Sequence, residues 1–227
     1  MNESVRKLFD AKKDYDDRRD KYYFERRVRE LKKILENTSK EANILDVGCG
    51  TGINVEFLHQ HGFSNVCGSD ISRTLLETAR AKNLRNMVLT GSIELPFKDA
   101  SFDLVTMLDV IEHMDGYKNN LSEISRILKP GGRLFITYPN PGMIWLIDIM
   151  AAIGLKIPGK ENKVPFPELE EAAQPFFECE TFQPIVLVSK LPRFALHFFE
   201  MVEKIMPGRL LRRVALSYVV VLKRTFN

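Results

Sequence analysis

The residues best placed to touch a ligand lie in Asn43–Gly52, NILDVGCGTG. An apolar run, Ile44–Val47, is broken by Gly48, Gly50 and Gly52, with Cys49 and Thr51 between them, and Val55 and Leu58 follow at helical spacing. This order predicts a buried strand, a tight turn and the start of a helix. Glycine allows positive φ and close approach of a ligand to the backbone, and the N–H groups of the first helical turn then face that ligand. About twenty residues on, Asp70 ends a second short strand, NVCGSD. A carboxylate there can accept hydrogen bonds from both hydroxyls of a ribose. Farther along, Asp109, Glu112 and His113 fall close together. Histidine titrates near neutrality and can act as a general base, although one at this position can equally hydrogen-bond a neighbouring loop. Three oxygen and nitrogen donors could also meet a cation, but spacing alone does not make a metal site.

The elements that must carry these residues form a repeating series. After the first turn come a helix near Asn54–His61, the strand ending at Asp70, a helix over Arg73–Lys82 and a strand over Met87–Ser92. A polar loop, Glu94–Asp103, closes into a strand over Leu104–Leu108, and LDVIEHM begins a helix. A helix over Leu121–Leu128, a KPGG turn and the strand RLFITYP complete the series. Alternating strands and helices predict a parallel, doubly wound α/β sheet. Ligands on such sheets bind beyond the carboxyl ends of the strands, which here carry the glycine turn, Asp70, Ser92, Asp109 and Tyr138.

With 227 residues, 44% of them hydrophobic, the chain can bury the core of a single domain. Its three cysteines, Cys49, Cys67 and Cys179, include no CxxC pair, which points to a reducing compartment and to no structural zinc. A charged N-terminus and the lack of a long apolar run predict neither a signal peptide nor a transmembrane helix. The expected location is cytoplasmic, with contact at a membrane surface left open. Charge is uneven: residues 1–40 carry 13 basic and 9 acidic side chains, 190–227 carry 8 and 2, and the middle carries 12 and 19. Basic ends can meet an anionic membrane or nucleic acid, or can simply be solvated. Residues 4–35 read as one or two amphipathic helices, whose Tyr15, Tyr22 and Tyr23 either pack on the sheet or close over a ligand.

Taken together, ILDVGCGTG, Asp70, LPFKDASFDLV, IEHM and LKPGGRLFIT resemble the class I S-adenosylmethionine-dependent methyltransferases, specifically the small-molecule type 11 family, over about residues 43–138. A nicotinamide fingerprint, GxGxxG, spaces its glycines differently and receives a pyrophosphate. The resemblance implies a Rossmann-like, mostly parallel seven-stranded sheet with an antiparallel final strand. The expected layout is a helical extension (1–40), a cofactor-binding core (41–140), an apolar insertion or cap (141–175) and a C-terminal part with a basic amphipathic helix (176–227). It also implies that Gly48, Cys49, Gly50 and Gly52 cradle the methionine part of S-adenosylmethionine. Asp46 would face its amino group, Asp70 would hold the ribose with Ile71 beside the adenine, and Leu108 and Asp109 would line the methionine end. Ser92 and Ile93 occupy the place where relatives contact the adenine amino group, often through an acidic residue. Quinone-biosynthesis O-methyltransferases carry acidic–x–x–acidic–His at the position of Asp109, Glu112 and His113, typically with glutamate first, and can use a divalent ion; no metal ligand is assigned here.

Methyl transfer is an in-line displacement in which the protein chiefly aligns the partners. A base is needed only for an acceptor that keeps its proton at neutral pH, and His113 is the candidate. The expected acceptor is small or lipid-like and is methylated at oxygen. Nucleic acid is not expected, because no NPPY or DPPY motif occurs and the C-terminal aromatics are not spaced singly in a basic groove. A cofactor-binding protein without turnover and an enzyme acting on nucleic acid or protein remain alternatives. PNPGMIWLIDIMAAIGL reads as a cap over the acceptor or as a membrane-touching helix. LPRFALHFFEMVEKIMPGRLLRRV reads as a helix packed on the sheet by its apolar face, with lipid contact open because packing does not explain its arginines.

Overall fold

The computed structural model describes residues 3–11, 16, 20–91, 94–114, 116–152, 162–186, 188–189 and 191–226. The N-terminal part forms two helices, α1 (Glu3–Asp10) and α2 (Lys21–Leu35). Asp20 caps α2 by accepting the Tyr23 N–H at 3.0 Å. The alternating core follows as β1 (Ile44–Val47), α3 (Ile53–Gln60), β2 (Val66–Asp70), α4 (Arg73–Ala81), β3 (Met87–Leu89), β4 (Phe102–Leu108), α5 (Tyr117–Ile127) and β5 (Leu128–Pro139). Then come α6 (Ile144–Ala152), α7 (Phe166–Ala173), β6 (Phe177–Ile185), α8 (Arg193–Ile205), α9 (Gly208–Val214) and β7 (Ser217–Arg224).

The seven strands form one sheet in the order β3-β2-β1-β4-β5-β7-β6. The first five pair in parallel, whereas β7 runs antiparallel to both β5 and β6. Strand order reverses direction between β1 and β4, and that switch point is where an open α/β sheet leaves a crevice. β1 is buried throughout, as a strand covered on both faces must be. On one face Ile44, Leu104 and Phe135 pack with Leu31 of α2, Val55 of α3 and Leu76 of α4. On the other, Leu45, Val105 and Leu134 pack with Ile124 of α5 and Leu169 of α7.

Several expectations are corrected. β3 stops at Leu89, and Ser92 and Ile93 lie outside the described residues. IEHM is a single 3₁₀ turn, Ile111–His113, and α5 begins only at Tyr117, after Gly116 in the left-handed conformation. KPGG is no separate turn: it lies in β5, where the pairing with β4 slips between Phe102 and Leu104. Tyr138 is wholly buried in the core beside Tyr218 and is not part of a ligand surface. Tyr22 and Tyr23 pack against the face of the sheet that carries Ile44, Leu104 and Phe135 rather than lining the cleft, and Tyr15 lies outside the described residues. The largest correction concerns α8. Its apolar stripe points outward, and its acidic side packs on α2 through Arg26–Glu203 and Arg29–Glu200.

Candidate active site

A cleft of about 660 Å³, counted to its open mouth, sits over the switch point. Its floor is the glycine turn. Gly48, Gly50 and Gly52 have φ of +70°, +55° and +79°. At Gly48 a Cβ would lie 2.5 Å from Val110, and at Gly52 it would lie 2.3 Å from Leu84, so only glycine fits either place. The turn is held from below, since the N–H groups of Gly48 and Cys49 both donate to the Ser69 carbonyl, at 2.7 and 3.0 Å. Cys49 is buried, and burial together with the charges of Asp46 and Asp70 raises its thiol pKa well above the usual value. Its thiol is therefore held in the neutral, less reactive form.

Asp70 joins two elements. One carboxylate oxygen accepts the Gly50 N–H at 2.8 Å and the other accepts the Ser72 N–H at 2.8 Å. Burial raises its pKa against the pull of these donors. Capping of α4 falls to Ser72, whose Oγ accepts the Leu75 N–H at 3.2 Å. Each oxygen of Asp70 keeps a second acceptor site that a hydroxyl could use. Ile71 lines the same end of the cleft.

Asp46 is fixed by sheet register. It lies beside Thr106 of β4, whose hydroxyl donates to its Oδ1 at 2.6 Å, while Asn54 Nδ2 donates to the same oxygen at 2.9 Å. Asp109 follows β4 with φ +55°, an uncommon conformation for a non-glycine residue and a mark of a functional turn. Its carboxylate accepts from Thr137 Oγ1 at 3.0 Å and from Arg27 Nη1. Leu108, Val110 and His113 complete this wall, and the His113 ring meets Phe9 edge-on at 5.5 Å between centroids.

The cleft therefore brings together every assigned residue that is described except Gly52, which shapes the turn from behind. Sequence reading missed what comes from the N-terminal helices. Phe9, Phe24 and Arg27 line the cleft, and Arg27 stacks over Tyr23 with 4.5 Å to the ring centroid. Asp10 accepts from Ser72 Oγ at 2.6 Å, and Asp16 accepts from Thr51 Oγ1 and pairs with Lys82. The one available signal was amphipathic spacing, which does not separate a ligand-facing arginine from a solvated one. Asp109, Glu112 and His113 do not converge: Asp109 turns to Arg27, Glu112 is buried and His113 meets Phe9. Among the described residues no cluster of three His, Cys, Asp or Glu side chains could hold a metal ion.

These residues fit a zwitterionic nucleoside better than a dinucleotide. Asp70 and Ile71 suit a ribose and a flat base, while Asp46, Asp109 and Arg27 offer both signs of charge at the opposite end. A pyrophosphate would meet the carboxylates of Asp46, Asp70 and Asp109 instead of open helix N–H groups. The sheet order 3-2-1-4-5-7-6, with this cleft at its switch point, is that of the Rossmann-like methyltransferase fold. Residues 45–136 match the family model described as a methyltransferase domain.

Among curated proteins the chain is similar to the O-methyltransferase resE of Aspergillus sclerotiorum, 35% identical over 120 residues that make up 49% of this chain and 45% of that protein. It is also similar to the ubiquinone biosynthesis O-methyltransferase of Coxiella burnetii, 34% identical over 108 residues, 45% of this chain and 46% of that protein. The chain spans about half the length of these curated relatives. Its fold is shared with a solved complex of the Haloferax volcanii Trm112 methyltransferase activator and a methyltransferase (TM-score 0.72, 22% identity, 98% of each chain). The PH0226 protein of Pyrococcus horikoshii has it too (TM-score 0.66, 20% identity, 96% of this chain and 99% of that one).

Proposed function

We propose that this chain transfers a methyl group from S-adenosylmethionine to a small or lipid-like acceptor, at oxygen. The observation that carries the reading is the hydrogen bond from Gly50 N–H to Asp70, which ties the glycine turn to the ribose-binding carboxylate within one cleft. When bound, the cofactor supplies an electrophilic methyl group on a sulfonium. Asp70 holds the ribose, Asp46 and Asp109 face the ammonium group, and Arg27 faces the carboxylate. The backbone at Gly48 and Gly50 lets the methionine part lie close.

Phe9 and Phe24 exclude water from the far side of the cleft. His113, on the wall next to Val110, takes the proton from an acceptor hydroxyl, a step typically worth a factor of about 10² to 10⁴. Oxygen is favoured because two of the similar proteins are named O-methyltransferases, one of them in ubiquinone biosynthesis.

Titration calorimetry with S-adenosylhomocysteine, and with NADH as control, tests the cofactor. Release of S-adenosylhomocysteine in the presence of catechols and hydroquinones tests the reaction. The expected result is binding of S-adenosylhomocysteine alone, turnover of at least one phenolic acceptor, and slower turnover in His113→Gln at unchanged cofactor affinity. Cofactor binding without turnover of any acceptor would favour a binding protein instead. Binding of neither ligand would remove the reading.

A further inference from the structure

Helix α8 has its amphipathic character turned inside out. Leu196 is buried, and Phe199, Glu200 and Glu203 are partly buried on the same side. On the opposite side Phe194, Phe198, Met201 and Ile205 recur at i, i+4, i+7 and i+11, which is one helical face. These four side chains are 80%, 57%, 59% and 82% exposed. Scattered exposed apolar residues need no explanation, but a contiguous stripe along one helix marks a surface that meets something apolar.

The surrounding charge selects what that is. Glu200 and Glu203 are the only acidic residues in 190–227, and both turn inward. Glu203 pairs with Arg26, and Glu200 pairs with Arg29 at 2.8 Å and accepts from Tyr22 at 3.2 Å. Although burial opposes it, the hydrogen bond and charge of Arg29, with the charge of Arg26, keep the Glu200 carboxyl pKa below the usual value. The outer surface at the C-terminal end of the stripe is therefore cationic, with Lys204, Arg209 and Arg213 exposed, while at its start the exposed Arg193 lies 3.9 Å from Glu25. Trp145 and Ile149 are also exposed, on α6, which leaves the 3₁₀ turn that contacts α9.

We propose that α8 and α9 form a docking surface for an anionic lipid bilayer, with the Phe194–Ile205 stripe lying in the headgroup and acyl boundary and the arginines and Lys204 meeting lipid phosphates. An apolar face flanked by cations is the pattern of helices that lie in a membrane interface. A second copy would bring two cationic surfaces together, whereas anionic lipid neutralises one. No helix of the described residues is long and apolar enough to cross a membrane, so the contact is peripheral. The proposal rests on α8 and α9 and does not depend on the methyl-transfer reading.

Vesicle flotation of the full chain tests it, using phosphatidylcholine alone and phosphatidylcholine mixed with phosphatidylglycerol. Binding is expected only with phosphatidylglycerol at low salt and should weaken as salt rises. Phe194→Ser/Phe198→Ser and Arg209→Glu/Arg213→Glu should each weaken it more than tenfold, with thermal melts like those of the parent chain because these side chains are exposed. Failure to bind anionic vesicles at low salt would overturn the proposal, as would binding unchanged in the phenylalanine variant. Self-association in sedimentation that Phe198→Ser removes, without vesicle binding, would assign the stripe to a second copy and equally overturn it.

Discussion

Asp70 shows how a residue proposed to hold a ligand can also be a structural one. Two backbone N–H groups depend on its carboxylate, so truncating it to alanine orphans both, at about 1–3 kcal/mol for each buried donor. A loss of cofactor binding in such a variant would thus mix two causes. A cleaner probe is pH. Burial lifts the folded-state pKa of Asp70 above the ordinary aspartate value of 3.8, against the lowering effect of the Ser72 and Gly50 donors, so the folded chain holds this proton more tightly than the unfolded chain. Its favourable contribution is complete below 3.8 and is lost as pH rises through the raised pKa. Urea unfolding without ligand should show the stability difference between parent and Asp70→Asn moving against the parent as pH rises from 3.8. A flat difference would argue that the carboxyl is not buried in this way. Asp70 and the glycine turn were legible in the sequence because both belong to consecutive strand ends with a fixed spacing.

Helices α2 and α8 were less legible, for a physical reason. Hydrophobic periodicity identifies an amphipathic helix but does not say which face meets the protein. In α8 the usual assumption fails, because Glu200 and Glu203 find Tyr22, Arg26 and Arg29 some 170 residues away in sequence. Arg27 was hidden in the same manner, with its partner Asp109 82 positions on. Because Arg27 is buried and Asp109 partly so, breaking the pair should cost more than a surface ion pair does. Arg27→Met is expected to lower stability by about 2 kcal/mol in urea unfolding, less than a fully buried pair because Asp109 retains contact with water. The double variant Arg27→Met/Asp109→Asn should recover part of the loss. Strict additivity of the two single changes would indicate that the helix is not held through this pair.

Across the whole molecule, the sheet order and both faces of the core follow from the alternation of strands and helices, whereas the N-terminal side of the cleft does not. On that side lies α1, whose Phe9 lines the cleft against His113 and whose Asp10 reaches Ser72 and the Thr74 N–H of α4. A ligand in the cleft would touch Phe9 and so hold α1 in place. Hydrogen exchange over residues 3–10 should therefore slow when S-adenosylhomocysteine is bound, while protection in β1, β4 and β5 stays constant. Equal exchange in α1 with and without the ligand would show that the ligand does not hold it. Helix α2 has a wider role, since Phe24 and Arg27 face the cleft while Arg26 and Arg29 hold α8. One element thus borders both the candidate cleft and the proposed lipid face, and whatever an occupant of each does to it closes a thermodynamic cycle. If anionic vesicles tighten cofactor binding by some factor, the cofactor must tighten vesicle binding by that same factor. On the proposed reading the chain would hold methyl donor best where the α8–α9 face meets lipid, and would empty again on release into water.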